Sequence, residues 1–178
     1  IDENFSVKIE SSDLKKIISL AKKQSGKSEE LTENLIALKE RNQITIQKKL
    51  SVKNLKRKKI SIGNEAEIDG KILSISKVKN DEVKISKTKN LEFISADGLN
   101  SFFIVRIWEQ GDKFFPIGMQ GSKKISDYLN DIKINSFEKK EQLVLENKGN
   151  IVWVIGKRLD DRFKVTPNTK KVLKLCLK

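Results

Sequence analysis

The chain has 178 residues, enough for one ordinary domain or two small ones that bury a core. It contains no histidine and a single cysteine, Cys176, which excludes within it every histidine triad, histidine-ligated metal, disulfide framework and thiolate cluster. Its net charge of +13, from 37 basic and 24 acidic residues, either attracts polyanions in a salt-dependent way or reflects only a solvated, lysine-rich surface.

Ser11-Ser12-Asp13 reads as a helix N-cap cluster, followed by Leu14, Ile17, Ile18 and Ala21 at helical spacing, with Gly26 placed to stop the helix. Two short strands are expected around Asn34–Lys39 and Gln43–Lys49, separated by the polar turn Glu40-Arg41-Asn42. Residues 51–59 are strongly basic and read as a linker or a solvated strand edge. From Ile60 to Ala96, apolar alternations (Ile60/Ile62, Ile72/Ile75, Val83/Ile85, Leu91/Phe93) are broken at Gly63-Asn64, Asp69-Gly70 and Asn80-Asp81, which predicts an antiparallel meander.

Phe102–Trp108 is an apolar strand interrupted by Arg106. A helix is expected near Lys123–Ile132, with Ile125, Tyr128, Leu129 and Ile132 on one face and Ser122 or Gly121 as its cap. A short helical turn near Phe137–Lys140 leads to strands at Leu143–Glu146, Ile151–Ile155, Phe163–Val165 and Val172–Leu177. No apolar run approaches the ~20 residues that span a bilayer, and there is no signal peptide, so a cytoplasmic location without membrane contact is expected. The first residue is Ile1, and the chain reads as a piece of a longer protein.

Residues 21–28 (AKKQSGKS) fit a loose phosphate-loop pattern. That chemistry needs a strand before the loop and a helix after it. Here an amphipathic helix comes first and Glu29-Glu30 follows, which repels phosphate, so the stretch reads as a helix end.

The densest pattern runs from Arg106: RIWEQGDKFFPIGMQGSKKISDYLNDIKI, continued at 151–173 by IVWVIGKRLDDRFKVTPNTKKVL. Three glycines and a proline fall within the eleven residues Gly111–Gly121, a loop suited to close backbone approach, with Lys123-Lys124 at its exit. The chain resembles the C-terminal part of the tRNA(Ile)-lysidine synthetase family. The resemblance rests on Arg106, Trp108, Gly111-Asp112, Phe115-Pro116, Gly118-Met119, Gly121, Lys123-Lys124, Ser126-Asp127, Asp131 and Lys133. In the second block it rests on Ile151-Val152-Trp153, Gly156, Arg158, Asp160, Arg162-Phe163-Lys164 and Thr169-Lys170. Residues 101–175 carry it well, 15–50 loosely and 51–100 hardly at all.

The resemblance implies a parent ligase that uses ATP, with Mg, to join lysine to the wobble cytidine of the tRNA(Ile) bearing a CAU anticodon, forming lysidine. The family's catalytic loop, Ser-Gly-Gly-x-Asp-Ser, is absent from this chain. No catalytic residue, cofactor site or metal site is therefore carried over, and ATP and lysine belong to a catalytic domain that the chain lacks. What remains implies a tRNA grip on the acceptor-stem side. Its partners would be that tRNA and the parent's own N-terminal catalytic domain, and a homodimer is admitted.

Stem RNA is read largely by shape, through phosphate and 2′-hydroxyl contacts, so cations beside a glycine loop suit the task. The candidate RNA-binding residues are Lys123, Lys124, Arg106, Lys133, Arg158, Arg162, Lys164 and Lys170. Lys123-Lys124 leads the set, because a helix N-terminus would add its own attraction for anions. Arg106 and Arg158 read equally well as ion-pair partners of Asp112 or Asp160. Trp108, Trp153, Phe115 and Phe163 read as core before stacking platforms.

The expected fold class is α+β: a helix-plus-hairpin unit over 1–50, then a mainly antiparallel β domain over 51–178 with one or two helices. By resemblance the latter is similar to a domain of the phenylalanyl-tRNA synthetase β subunit. The alternative function is a structural module that docks on the catalytic domain or a second subunit, signalled by an exposed apolar patch at Leu14, Ile17 and Ile18.

Overall fold

The structure, a computed structural model, describes residues 9–32, 34–48, 57–68, 70–83 and 88–178. It divides into two compact units, residues 1–51 with Asn135–Phe137, and residues 52–134 with 138–178.

In the first unit, α1 (Ser11–Ala21) is followed by an antiparallel sheet of β1 (Ser28–Glu30), β2 (Leu35–Lys39) and β3 (Ile44–Lys48) in that order. The N-cap is Glu10, one residue ahead of the expected cluster, and its backbone N–H donates to Asp13 Oδ2 at 3.4 Å. Asp13 also accepts from the Thr32 hydroxyl and, at 3.1 Å, from the Thr32 backbone N–H. These bonds, the hydroxyl foremost, outweigh burial and hold its carboxyl below the usual carboxylate range. Leu20, Leu31, Leu35 and Ala37 form the core, flanked by Ile17, Ile44 and Ile46.

α1 ends at Ala21, ahead of Gly26, so Gly26 does not stop it. Gly26, at a φ of 88°, instead turns the chain into β1, where its N–H donates to the Lys39 carbonyl at 2.7 Å. The 21–28 stretch thus joins a helix to a strand, the reverse of a phosphate loop.

Further along lie β4 (Lys58–Ser61), β5 (Glu65–Ile68), β6 (Lys71–Val78), β7 (Leu91–Ser95), β8 (Phe102–Ile107), β9 (Lys113–Phe114) and β10 (Lys123–Lys124). They are followed by α2 (Ile125–Asp131), α3 (Ser136–Glu141), β11 (Leu143–Asn147), β12 (Asn150–Val154), β13 (Arg158–Leu159) and β14 (Val172–Leu177). The α+β class with mainly antiparallel sheets is the observed one.

Of the meander expected over Ile60–Ala96, the β5–β6 hairpin forms and the remaining neighbours do not pair in sequence order. A five-stranded sheet runs β13-β12-β11-β8-β4 and a four-stranded sheet runs β5-β6-β14-β7. β4 leaves its sequence neighbours to pair with β8, and β14 enters between β6 and β7. Short strands of equal apolarity carry no signal of which partner they take, and pairing is settled by the shared core. The expected strand at Phe163–Val165 is replaced by a 3-10 turn at Asp161–Phe163. Asn80-Asp81 lies in a second such turn, Asn80–Glu82. Asp69, Ile85 and residues 51–56 lie outside the described residues.

The two sheets face each other across one core that includes Ile60, Phe103, Val105, Leu145 and Trp153 from one side, and Ile68, Leu73, Ile75, Ile94, Leu173 and Leu175 from the other. Strand alternation sends the intervening residues to the opposite face. There α2 and β9 cover the five-stranded sheet through Phe114, Ile125, Tyr128, Leu129, Val144, Ile151 and Val154. Phe114 and Tyr128 meet edge to face with centroids 5.1 Å apart, a geometry that adds about 0.5–1.5 kcal/mol to burial.

A β-bulge adjusts the pattern. Leu145 pairs with Trp153 but Glu146 pairs with Ile151, so Val152 is the extra residue. Val152 and Trp153 therefore both reach the inter-sheet core, while Ile151 and Val154 flank them on the helix side. No helix among the described residues is long and apolar enough to cross a membrane.

Candidate nucleic-acid interface

The glycine loop leaves β8 and is anchored at its start by Arg106. On β8, Phe103 and Val105 enter the inter-sheet core, so Arg106 points to the face that α2 covers. It is 6% exposed. Its Nε donates to Glu146 Oε2 at 2.7 Å, its Nη1 to Asp112 Oδ2 at 2.7 Å, and its Nη2 to Asp112 Oδ1 at 3.0 Å. The Asp112 bond first, and then Glu146, outweigh burial and raise the guanidinium's pKa further above its already high value. Burial pushes the Asp112 carboxyl up, but Arg106 and the Glu109 N–H together bring it below the usual range.

Arg106 is thereby corrected from an RNA-facing candidate to a buried ion-pair centre, because its donors are taken by two carboxylates out of water. Asp112 as its partner was open in the sequence. Glu146 was not foreseen, although a lone glutamate in the apolar run Leu143–Glu146 is a signal for a buried cation nearby.

A second knot fixes the middle of the loop. Asp160 is fully buried and accepts from the Phe115 N–H at 2.9 Å, and from Arg162 through its backbone N–H, Nε and Nη2 at 3.0, 3.0 and 2.9 Å. The Arg162 guanidinium lies over the Phe115 ring, 4.5 Å from its centroid, and its Nη1 donates to Asn150 Oδ1 at 3.1 Å. Arg162 is thus oriented by Asp160 yet stays exposed. Lys164, also exposed, pairs with Asp161 at 2.9 Å.

Lys123 and Lys124 are not in the first turn of the helix. They form β10, antiparallel to β9, and Lys124 is the N-cap of the seven-residue α2. The strand wins because the Asp112 carbonyl accepts the Ile125 N–H at 2.9 Å, fixing where helical geometry begins. The helix thus begins immediately after the two lysines, which adjoin its N-terminus from the preceding strand. Lys123 is half-buried and paired with Asp131, whereas Lys124 is exposed.

At the other end of α2, Lys133 has a φ of 57°. Its N–H donates to the Asn130 carbonyl at 2.9 Å and that of Ile134 to the Leu129 carbonyl at 3.1 Å, a Schellman ending with lysine where glycine is usual. Ile132, expected on the buried face, is 38% exposed, and Ile134 packs against the helix-side core instead.

The other candidates lie elsewhere on the unit. Arg158 is exposed on β13, near enough to Glu92 to lower that carboxyl's pKa in part. Lys170 is exposed, and its backbone N–H donates to Asp97 Oδ2 at 2.8 Å. Trp153 is fully buried and Trp108, Phe115 and Phe163 are half-buried. Trp108 donates its indole N–H to the Lys139 carbonyl. The Trp153 indole N–H has no hydrogen-bond partner among the described residues. No cluster of metal-ligating residues is found among the described residues.

Comparison with known proteins fits this geometry. Residues 103–175, from β8 into β14, match the family described as TilS substrate C-terminal domain. A tRNA(Ile)-lysidine synthase of Parabacteroides distasonis is 42% identical over 89 residues, covering 50% of this chain and 20% of the relative. One from Caldanaerobacter subterraneus subsp. tengcongensis is 32% identical over 164 residues, covering 88% and 34%. One from Clostridium acetobutylicum is 26% identical over 177 residues, covering 97% and 38%. The chain thus spans between 20% and 38% of the length of these relatives. A solved structure titled "Crystal structure of TILS C-terminal domain" superposes with a TM-score of 0.60 at 16% identity, covering 69% of this chain and 97% of that one, which is a likeness of fold. With residues 103–175 matched by the family model and relatives aligned over most of the chain's length, the chain belongs to the tRNA(Ile)-lysidine synthase family and carries its substrate C-terminal domain at residues 103–175.

Proposed function

We propose that this chain is the tRNA-holding part of a ligase that uses ATP to attach lysine to the wobble cytidine of tRNA(Ile) bearing CAU, and that it grips the acceptor-stem side without catalysing the step. The observation that carries this reading is the family match over 103–175, in a chain whose net charge is +13. Lys124, Lys133, Arg158, Arg162, Lys164 and Lys170 are exposed there and can reach phosphates, with Lys123 partly sheltered. ATP with Mg, and lysine, belong in this reading to the catalytic part of the parent, which works in the cytoplasm and on which this part docks. A homodimer is compatible with it.

The test is a titration of the chain with tRNA(Ile) bearing CAU and with a non-cognate tRNA at several salt concentrations. Binding that falls linearly in a log–log plot and prefers the cognate supports a selective grip. Equal affinity for both moves discrimination to the catalytic part, and no binding even at low salt removes the reading.

A second reading has its own observation. On α1, Leu14 and Ile18 are 52% and 60% exposed, an i, i+4 apolar pair turned to water. That face suits docking on the catalytic part, and absence of tRNA binding would make docking the chain's whole role.

A further inference from the structure

In the β9–β10 ribbon, Lys123 stands opposite Phe114 and Lys124 opposite Lys113. Side chains alternate sides along a strand, and Phe114 is fully buried in the helix-side core. Phe114 and Lys123 therefore share the inward side, and Lys113 and Lys124 share the outward one. Both outward lysines are exposed. Residues directly opposed in an antiparallel pair hold their Cβ atoms about 5 Å apart, a spacing at which like charges repel.

Other cations at or beside this loop have carboxylate partners. Arg106 has Asp112 and Glu146, Lys123 has Asp131, Arg162 has Asp160, and Lys164 has Asp161. Neither Lys113 nor Lys124 has a carboxylate partner among the described residues. The ribbon is held so that they stay opposed: Phe114 is locked against Tyr128, and the Asp112 carbonyl binds the Ile125 N–H on the far strand. The fold thus maintains an unfavourable juxtaposition, at the exit of the glycine loop, that one shared anion would relieve.

We propose that Lys113 and Lys124 together seat a backbone phosphate of RNA, with Lys123 serving the ribbon through Asp131. The proposal deepens the tRNA-holding reading and rests on it. RNA is the anion source that fits, since stem RNA is recognised through its phosphates by shape and lysine binds them as a point charge.

The experiment compares the chain with K113Q/K124Q, with K71Q/K77Q, and with K113E, each titrated with tRNA bearing CAU over a salt series and melted without RNA. Lys71 and Lys77 are exposed lysines of the four-stranded sheet, so the two double variants carry the same charge change. Each neutralised phosphate contributes about 0.7–0.9 to the slope of log affinity against log salt, so K113Q/K124Q, which removes the seat of one phosphate, should lose about that much and K71Q/K77Q nearly nothing. K113E should melt higher, because a cross-strand ion pair replaces a repulsion, yet bind tRNA more weakly. Equal slopes in the two double variants, or a lower melting temperature in K113E, would overturn the lysine seat while leaving a tRNA-binding chain. A wild-type chain that fails to bind tRNA at low salt would instead remove the holding reading, and this one with it.

Discussion

Arg106 and Asp112 meet fork to fork, two N–H donors on two carboxylate oxygens at 2.7 and 3.0 Å, and six residues of sequence separate them. The pair turns the entry of the glycine loop into a closed ring, and Glu146 secures the guanidinium from the neighbouring strand. Removing the cation leaves two carboxylates sheltered and unpaired. Arg106→Met should destabilise the fold by about 3–5 kcal/mol in urea melts. Arg106→Lys should recover only part of the loss, since an ammonium cannot reproduce the fork.

The same pair sets an acid limit. Asp112 has a folded pKa below its ordinary value of 3.8, so its contribution to stability is present above that value and is lost as pH falls through the lowered one. The gap in melting temperature between wild type and Asp112→Asn should be full at pH 7 and narrow progressively below 3.8.

Glu92 acts with the opposite sign. Burial raises its folded pKa above the ordinary 4.5, with Arg158 only partly compensating. The folded state then favours the protonated form, so the benefit is present below 4.5 and lost as pH rises through the raised value. Glu92→Gln should raise the melting temperature at pH 7, and the gain should vanish in melts taken well below 4.5.

Lys133 occupies the left-handed position that ends α2, at a φ of 57°. A side chain there costs about 1–2 kcal/mol that glycine avoids. Lys133→Gly should therefore stabilise the fold by about 1 kcal/mol in thermal or urea melts, and in the tRNA-holding reading it should weaken RNA binding at the same time. A variant that loses stability would show that the lysine side chain packs in a way that offsets its backbone strain.

Much of the second unit was legible because alternation is a local signal. The runs around Phe103–Val105, Val144–Leu145 and Val152–Trp153 announce strands without knowledge of their partners, and Ile125, Tyr128 and Leu129 announce one buried helical face. The spaced glycines, Asp112, Pro116 and Lys123-Lys124 marked the loop itself. What stayed hidden depends on distant partners. β1 reads Ser28-Glu29-Glu30 and becomes a strand only because β2 lies beside it. Lys123-Lys124 is extended because β9 pairs with it and the Asp112 carbonyl reaches Ile125. The cross-strand meeting of Lys113 and Lys124 follows from that register, which no spacing in the sequence expresses.

The placement of β14 between β6 and β7 has a kinetic consequence. Ser74 and Cys176, neighbours across that junction, are 102 residues apart in sequence. Apart from the β5–β6 hairpin, each strand pair of the four-stranded sheet must wait for a strand that arrives after the whole loop and helix layer has been made. Such long-range pairing is slow, and until it occurs β6 and β7 offer open edges with apolar sides to any passing chain. Refolding from urea should therefore be limited by closure of this sheet, and the yield should fall as protein concentration rises.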